Sequence, residues 1–420
     1  MTSTPQPVQG MSDLGPPDIS LWQSIENTAR HTLDLYGFAE VRTPVLEYTN
    51  VFTRSLGDTT DVVQKEMYTF EDRGGRSLTL RPEGTAGVIR YLAGLGPEAL
   101  ESRLYYLGPM FRAERPQAGR RRQFHQVGVE ALGPANPAAD VEVIALQQHL
   151  FAAWGIHDCQ FEINTRGESE DLKAVADGLK KAVQPHLAGL CEDCRRRFDT
   201  NVLRILDCKK EACGKIAAGL PPVTDFMSEP SRKYLEDVLR LLKLLDIKVR
   251  VNPRLVRGLD YYVHTVWEIK HSALGAQDAL SGGGRYRVDM GGKILEGVGF
   301  AIGLERVIAV LEQLKTAPPR AEPRPLVWIV SLGDKAFEEN LKLAQTLRMS
   351  GVRCGLDLGK GSIKSQMRAA NRAGAAQAVI RGDTEMAKGV LLLKSMKDGA
   401  QEELELPDLV QRLISAARAG

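Results

Sequence analysis

Arginine is concentrated where this sequence could do chemistry. From Arg112 to Arg122, five arginines (Arg112, Arg115, Arg120, Arg121 and Arg122) stand against one acid, Glu114. Charge runs are often solvated loops, but planar guanidinium forks also pair with phosphates and carboxylates. The flanking residues favour the second use. Leu104-Tyr-Tyr-Leu107 reads as a strand running up to Arg112, Pro116 and Gly119 break it, and Gln123 to Val129 reads as a second strand. With a side-chain period of two, Phe124, Gln126, Gly128 and Glu130 share one face. The expected hairpin presents Arg112, Gln126 and Glu130 to a common surface. Its chemistry would be a phosphate clamp beside a pocket for a cationic amine.

Four more stretches could complete such a pocket. Ser77 to Thr85 (SLTLRPEGT) reads as a strand emptying into a turn, where Glu83 and Thr85 could accept hydrogen bonds from an ammonium group. A surface-turn glutamate is the plainer reading of Glu83. Leu255 to Ile269 (LVRGLDYYVHTVWEI) alternates into a strand, which sends Tyr261 and Tyr262 to opposite faces and leaves at least one of them for the core. Gly282-Gly-Gly-Arg-Tyr286 offers glycines that permit close ligand approach. Gly297-Val-Gly-Phe-Ala-Ile-Gly-Leu-Glu-Arg306 reads as strand, glycine and then a helix opening at Leu304, without the spacing of a dinucleotide fingerprint. No Walker A pattern occurs, so a nucleotide would be held by arginines.

A separate cluster, Cys191-Glu-Asp-Cys194 followed by Cys208 and Cys213, has the spacing of a structural zinc site, although buried free thiols also serve as small apolar residues.

The elements that must position these residues fall into blocks. Residues 1–17, rich in Pro, Ser, Thr and Gly, read as a disordered leader. A catalytic domain is expected over 18–165 and 249–317, with Ile19 to Leu35 a helix ended by Gly37 and Phe38 to Pro44 a strand stopped by proline. Residues 166–248 read as a helical insertion carrying the cysteines. Prolines punctuate a linker at 318–325, and from 326 to 420 strands alternate with helices, as in a small, mildly basic α/β domain with a largely parallel sheet. At 420 residues the chain has material for two or three cores. A net charge of +2 confines any nucleic-acid binding to local patches. No apolar run approaches a membrane span, no basic-then-apolar signal opens the chain, and six cysteines without such a signal favour reduced thiols or metal ligands in the cytoplasm.

The arginine hairpin FRAERPQAGRRRQFHQVGVE resembles motif 2 of class II aminoacyl-tRNA synthetases, in the form found in histidyl-tRNA synthetases. The PEGT block at Glu83, the RGLDYY block at Arg257 and the GLER block at Arg306 are similar to the same family in order, and the helix and strand ending at Pro44 are similar to class II motif 1. Arg287, with a short loop to Gly291-Gly292, stands where the family usually has an acidic residue and a longer loop. The resemblance implies an α+β catalytic domain with an antiparallel sheet, a helical insertion, and a small α/β anticodon-binding domain. It implies a homodimeric ligase that activates L-histidine with ATP and Mg²⁺ and charges tRNA(His). It places histidine on Glu83, Gly84, Thr85, Arg112, Gln126, Glu130, Arg257, Tyr261, Tyr262 and Tyr286. ATP falls to Arg112, Glu114, Arg115 and Arg306, with Arg112 and Arg257 catalytic at the α-phosphate. The tRNA acceptor end falls to the loop with Arg120, Arg121 and Arg122. The rival is a non-catalytic regulatory subunit of ATP phosphoribosyltransferase, a histidine sensor; such subunits usually lack the C-terminal domain and have eroded arginine motifs.

Overall fold

A computed structural model describes residues 4–57, 60–95, 101–115, 120–316, 326–359 and 361–419. The expected linker, and the Pro116 to Gly119 tip of the arginine hairpin, lie outside them. The chain divides into two units, to Arg320 and from Ala321.

The first unit runs α1 (Ile19–Leu35), β1 (Ala39–Glu40), β2 (Leu46–Tyr48), α2 (Thr49–Leu56), β3 (Tyr68–Glu71), β4 (Ser77–Leu80), α3 (Thr85–Ala93), β5 (Arg103–Phe111), β6 (Gln123–Leu132), α4 (Pro137–Ala153) and β7 (Gln160–Thr165). It continues through α5 (Asp171–Val183), α6 (Glu192–Thr200), α7 (Glu211–Ala218), α8 (Glu229–Leu244), β8 (Val249–Val251), β9 (Tyr262–Lys270), β10 (Ala279–Asp289), β11 (Ile294–Gly303) and α9 (Leu304–Leu314). Eight strands form one sheet in the order β1-β5-β6-β11-β10-β9-β7-β8. Its six central strands are antiparallel neighbours, and β1 and β8 add parallel edges. A smaller sheet, β2-β4-β3, stands beside it.

Alternation decides which face does what. On β6, Val127, Val129 and Ala131 pack into a core with α1, α4 and α9, which leaves Phe124, Gln126, Gly128 and Glu130 for the other face, as the period of two requires. Of Phe38 to Pro44 only Ala39–Glu40 forms a strand, paired with Leu104 and Tyr105. The last bond of that pairing is Val41 N–H to the Tyr105 carbonyl at 2.8 Å, and Pro44 has no N–H to extend it. Residues 4–17 form no helix or strand, yet they touch the rest of the unit. The Gly10 carbonyl accepts from Arg122 N–H at 2.9 Å, and Leu14 packs on the main core.

One buried ion pair ties the covering helices to the sheet. Asp140, on α4, accepts from Arg285 Nε at 2.8 Å, Thr265 Oγ1 at 2.6 Å and the Tyr234 hydroxyl at 3.1 Å, which joins α4, β10, β9 and α8 at one carboxylate. Within the expected insertion, α5, α6 and α7 share a core of their own, whereas Val238 and Leu242 of α8 pack into the main core. By packing, α8 belongs with the sheet.

The second unit holds β12 (Val327–Ser331), α10 (Asp334–Met349), β13 (Cys354–Leu356), α11 (Ile363–Arg372), β14 (Gln377–Arg381), α12 (Asp383–Lys388), β15 (Val390–Ser395), β16 (Gln401–Glu405) and α13 (Leu406–Ala419). Its sheet, β13-β12-β14-β15-β16, is parallel across the first three strands and antiparallel across the last two pairs. The expectation of a largely parallel sheet is corrected here. The short connections after β14 and β15 cannot make a parallel crossover, which takes a dozen residues or more. Among the described residues no helix is long and apolar enough to cross a membrane.

Asp140→Asn keeps the shape and strands the Arg285 charge, which is 1% exposed. It should destabilise the first unit by about 3–5 kcal/mol in denaturant unfolding; an unchanged midpoint would show that Arg285 does not depend on this carboxylate.

Candidate active site

The face of the large sheet opposite α1 and α4 carries a cavity of about 320 Å³, within the range of small-molecule sites. It is lined by Glu83, Thr85, Arg112, Glu114, Arg120, Arg121, Gln126, Glu130, Arg257, Tyr261, Tyr262, Tyr286 and Arg306. Three expected site residues are not on this wall. Gly84 packs against the Tyr106 ring, Arg115 is exposed, and Arg122 turns its guanidinium to the Glu114 and Gln9 carbonyls.

Carboxyl groups dominate one end. Glu83, buried, accepts from the N–H groups of Thr85 at 2.7 Å and Ala86 at 2.8 Å, so it closes the start of α3 while facing the cavity. The surface-turn reading of this residue fails. Thr85 Oγ1 donates to Glu130 Oε1 at 2.6 Å. Burial pushes the Glu130 carboxyl up to about 8, and the Glu83 carboxyl is raised by the same cause. Glu130 is therefore neutral near pH 7. Three buried polar atoms on this wall, Glu130 Oε2, Gln126 Oε1 and the Tyr286 hydroxyl, make no hydrogen bond of full geometry among the described residues, although the Tyr286 hydroxyl is near enough to the Glu130 carboxyl to favour its charged form. Buried polar groups are normally satisfied, so this arrangement is shaped for a polar ligand.

Guanidinium groups dominate the other end. Arg112 follows β5 directly, where its Nε donates to the Pro82 carbonyl at 2.9 Å and its guanidinium carbon lies 5.3 Å from the centre of the Phe124 ring. Arg257 donates to Glu268 Oε1 at 3.0 Å. A side chain at Gly282 would begin about 2.1 Å from that guanidinium, so this position must be glycine for Arg257 to lie across β10. At Gly299 a Cβ would lie 2.4 Å from Glu130 Oε2, a second close approach. Arg306, in the first turn of α9, donates to the Ala279 carbonyl, and Arg120 pairs with Glu114 at 3.0 Å.

Tyr261 and Tyr262 do not separate to opposite faces. Tyr261 precedes β9, free of its alternation, and the two rings meet edge to face at 4.6 Å with both on the cavity wall. Arg287 stays off the cavity and pairs across the hairpin with Glu296 at 2.9 Å. Sequence reasoning missed Glu268 and Glu305. Glu268 is held by Arg257 and Lys270, and Glu305 accepts from His125 N–H at 2.9 Å. The available signals were a charged residue inside an apolar strand and an acid beside Arg306. The four cysteines of the insertion do converge, with all their Sγ atoms within 4.8 Å of one another.

A family model described as histidyl-tRNA synthetase matches residues 10–307, and one described as an anticodon binding domain matches 326–416. The chain belongs to the histidyl-tRNA synthetase family. It is similar to a histidine–tRNA ligase of Halothermothrix orenii, 45% identical over 96% of this chain and 98% of that one. A Synechocystis histidine–tRNA ligase is 44% identical over 96% of this chain and 91% of its own length. Among solved structures, apo histidyl-tRNA synthetase of S. aureus aligns with a TM-score of 0.81 at 34% identity, covering 99% of this chain and all of that one. The shared architecture is a synthetase catalytic domain with its antiparallel-rich sheet, a helical region and a small C-terminal α/β domain.

The Glu130 carboxyl ties stability to pH. Its folded value lies above the ordinary 4.5, so between 4.5 and about 8 the folded state binds the extra proton and stability falls as pH rises. Glu130→Gln should remove that slope, worth on the order of a few kcal/mol across the window. Unfolding midpoints from pH 5 to 9 check this; the same slope in both proteins would refute the assignment.

Proposed function

We propose that this chain is a histidine–tRNA ligase, which joins L-histidine to ATP as histidyl-adenylate with release of pyrophosphate and then transfers histidine to the 3′ end of tRNA(His). The observation that carries the reading is the pairing of buried Glu130, Gln126 and Tyr286 polar atoms at one end of the cavity with Arg112, Arg257 and Arg306 at the other. An imidazole and an ammonium need the first set; a triphosphate needs the second.

Glu130 and Tyr262 would meet the two imidazole nitrogens. A neutral Glu130 can donate its proton to one nitrogen or share it, so the pair holds one proton without a net buried charge. Glu83, Thr85 and Gln126 would take the α-amino group; each Glu83 oxygen keeps acceptor capacity beyond its bond to α3. The histidine carboxylate is ionised at neutral pH and attacks the α-phosphorus without a general base. Its obstacles are charge repulsion and alignment, and Arg112 and Arg257 would answer both by bracketing the α-phosphate. Arg306 would hold the outer phosphates, and Glu114 and Arg115 the adenine end. Mg²⁺ brought in with ATP supplies further charge neutralisation, and the carboxylates of Glu268 and Glu305 are oxygen donors of the type it takes. Apolar isosteres of histidine would leave several wall groups unpaired and be rejected by ~10⁴-fold.

The arginine-rich loop with Arg120, Arg121 and Arg122 would receive the tRNA acceptor end, and the C-terminal domain would read the anticodon through splayed bases and phosphates. The similarity of Ile19 to Pro44 to class II motif 1 supports a homodimer, and the role in translation supports a cytoplasmic setting. A structural zinc on the insertion cysteines would stand outside this chemistry. The retained arginines and C-terminal domain speak against the regulatory-subunit reading.

Arg257→Ala should lower histidine-dependent exchange of labelled pyrophosphate into ATP by ~10²-fold or more with the unfolding midpoint unchanged. Near-normal exchange would remove Arg257 from the reaction.

A further inference from the structure

The insertion's four cysteines take no part in the chemistry above, yet their setting is built. Cys191 is the cap residue of α6, Cys194 lies in its first turn, and Cys213 lies in the first turn of α7. Two helix N-termini, which favour negative charge, thus meet at the sulfurs. The Cys191 N–H donates to Cys213 Sγ at 3.2 Å, a bond that favours a thiolate over a thiol. Tetrahedral zinc with Zn–S distances of ~2.3 Å places its sulfurs ~3.8 Å apart, so sulfurs already within 4.8 Å need only a small contraction. The core shared by α5, α6 and α7 is small, and domains of that scale usually need a staple.

We propose that Cys191, Cys194, Cys208 and Cys213 bind one Zn²⁺ as four thiolates, and that the closed site makes the segment between the cysteine pairs a buttress for the loop carrying Arg257. Each thiol gives up its proton to solvent on binding, and the resulting negative cluster is followed along the chain by Arg195, Lys209, Lys210 and Lys215. The buttress is explicit in the contacts. Arg204 reaches the Asp61 carboxylate at 3.1 Å and Arg197 reaches it at 3.6 Å. Asn201 Nδ2 donates to Asp260 Oδ1 at 3.2 Å, and Asp260 lies between Leu259 and Tyr261 of the cavity wall. Val256, next to Arg257, is buried in the same core as Cys194 and Cys213. Asp61 in turn begins the helical turn Val62–Glu66, and the Glu66 carbonyl accepts from Ala113 N–H at 2.7 Å, beside Arg112. Opening the cysteine site would loosen the support of both catalytic arginines, and that of the histidine wall most directly.

The test uses the full chain purified under reducing conditions. Elemental analysis should find one zinc per chain. Cobalt exchanged for zinc should give the intense visible bands of a tetrahedral tetrathiolate, and Cys208→Ser and Cys213→Ser should each abolish those bands. Protein without zinc or cobalt bands, or with the four cysteines recovered as two disulfides, overturns the metal site. The buttress rests on the proposed histidine activation and is read separately. Asn201→Ala, which removes the bond to Asp260, should retain the metal and raise the KM for histidine several-fold with little change in the KM for ATP. Unchanged histidine KM both in that variant and after chelation of the metal overturns the buttress. Absence of any exchange in the unaltered protein would instead refute the activity, and the metal result would stand apart from it.

Discussion

A carboxyl group held out of water at the floor of the cavity is the constraint on which the site depends. Glu130 is 1% exposed, and Thr85 satisfies only one of its oxygens. Such a group is costly to ionise and costly to leave unpaired. The surroundings are arranged around that cost. A Cβ at Gly299 would strike both the Val129 carbonyl and Glu130 Oε2, and Glu83, the other buried acid of this wall, turns both its oxygens to the start of α3. A ligand that supplies a donor or acceptor at this floor relieves the unpaired atoms, and one that cannot is penalised. In the proposed function, specificity and stability would therefore be set by the same atoms.

The cationic end works on the opposite principle. Its guanidinium groups are tethered before any ligand arrives, Arg112 to the Pro82 carbonyl, Arg257 to Glu268 and Arg306 to the Ala279 carbonyl. Tethering fixes the forks in place, so the proposed binding of a triphosphate would need little further ordering of side chains. These anchors come from β5, the loop before β9, and α9, all joined through one continuous sheet. The Asp140–Arg285 pair on the covered side locks α4 and α8 to β9 and β10 of that sheet. The helices behind the sheet thus keep the spacing of the arginines in front.

Much of this was legible in the sequence where local rules suffice. The period of two along Phe124, Gln126 and Glu130 placed those side chains on the cavity wall, and glycines beside functional residues marked close approach. The alternating strands and helices after residue 326 gave the class of the second domain. What was not legible depended on partners distant in the chain. Tyr261 falls just ahead of β9, so alternation misplaced it by one residue. Glu83 reads as a surface turn until α3 is seen to begin on its carboxylate. Arg122 belongs by charge to the clamp, but the Gln9 and Gly10 carbonyls capture it. The parallel sheet expected of the second unit was lost to two connections too short to cross over.

The most direct measurement is made on one preparation of the unaltered protein, with histidine-dependent exchange of labelled pyrophosphate into ATP followed by charging of tRNA(His). The account predicts both, with exchange dependent on histidine and not supported by other amino acids. Histidine binding without exchange would contradict it and leave a sensor rather than a ligase; exchange without charging would confine the chain to adenylation.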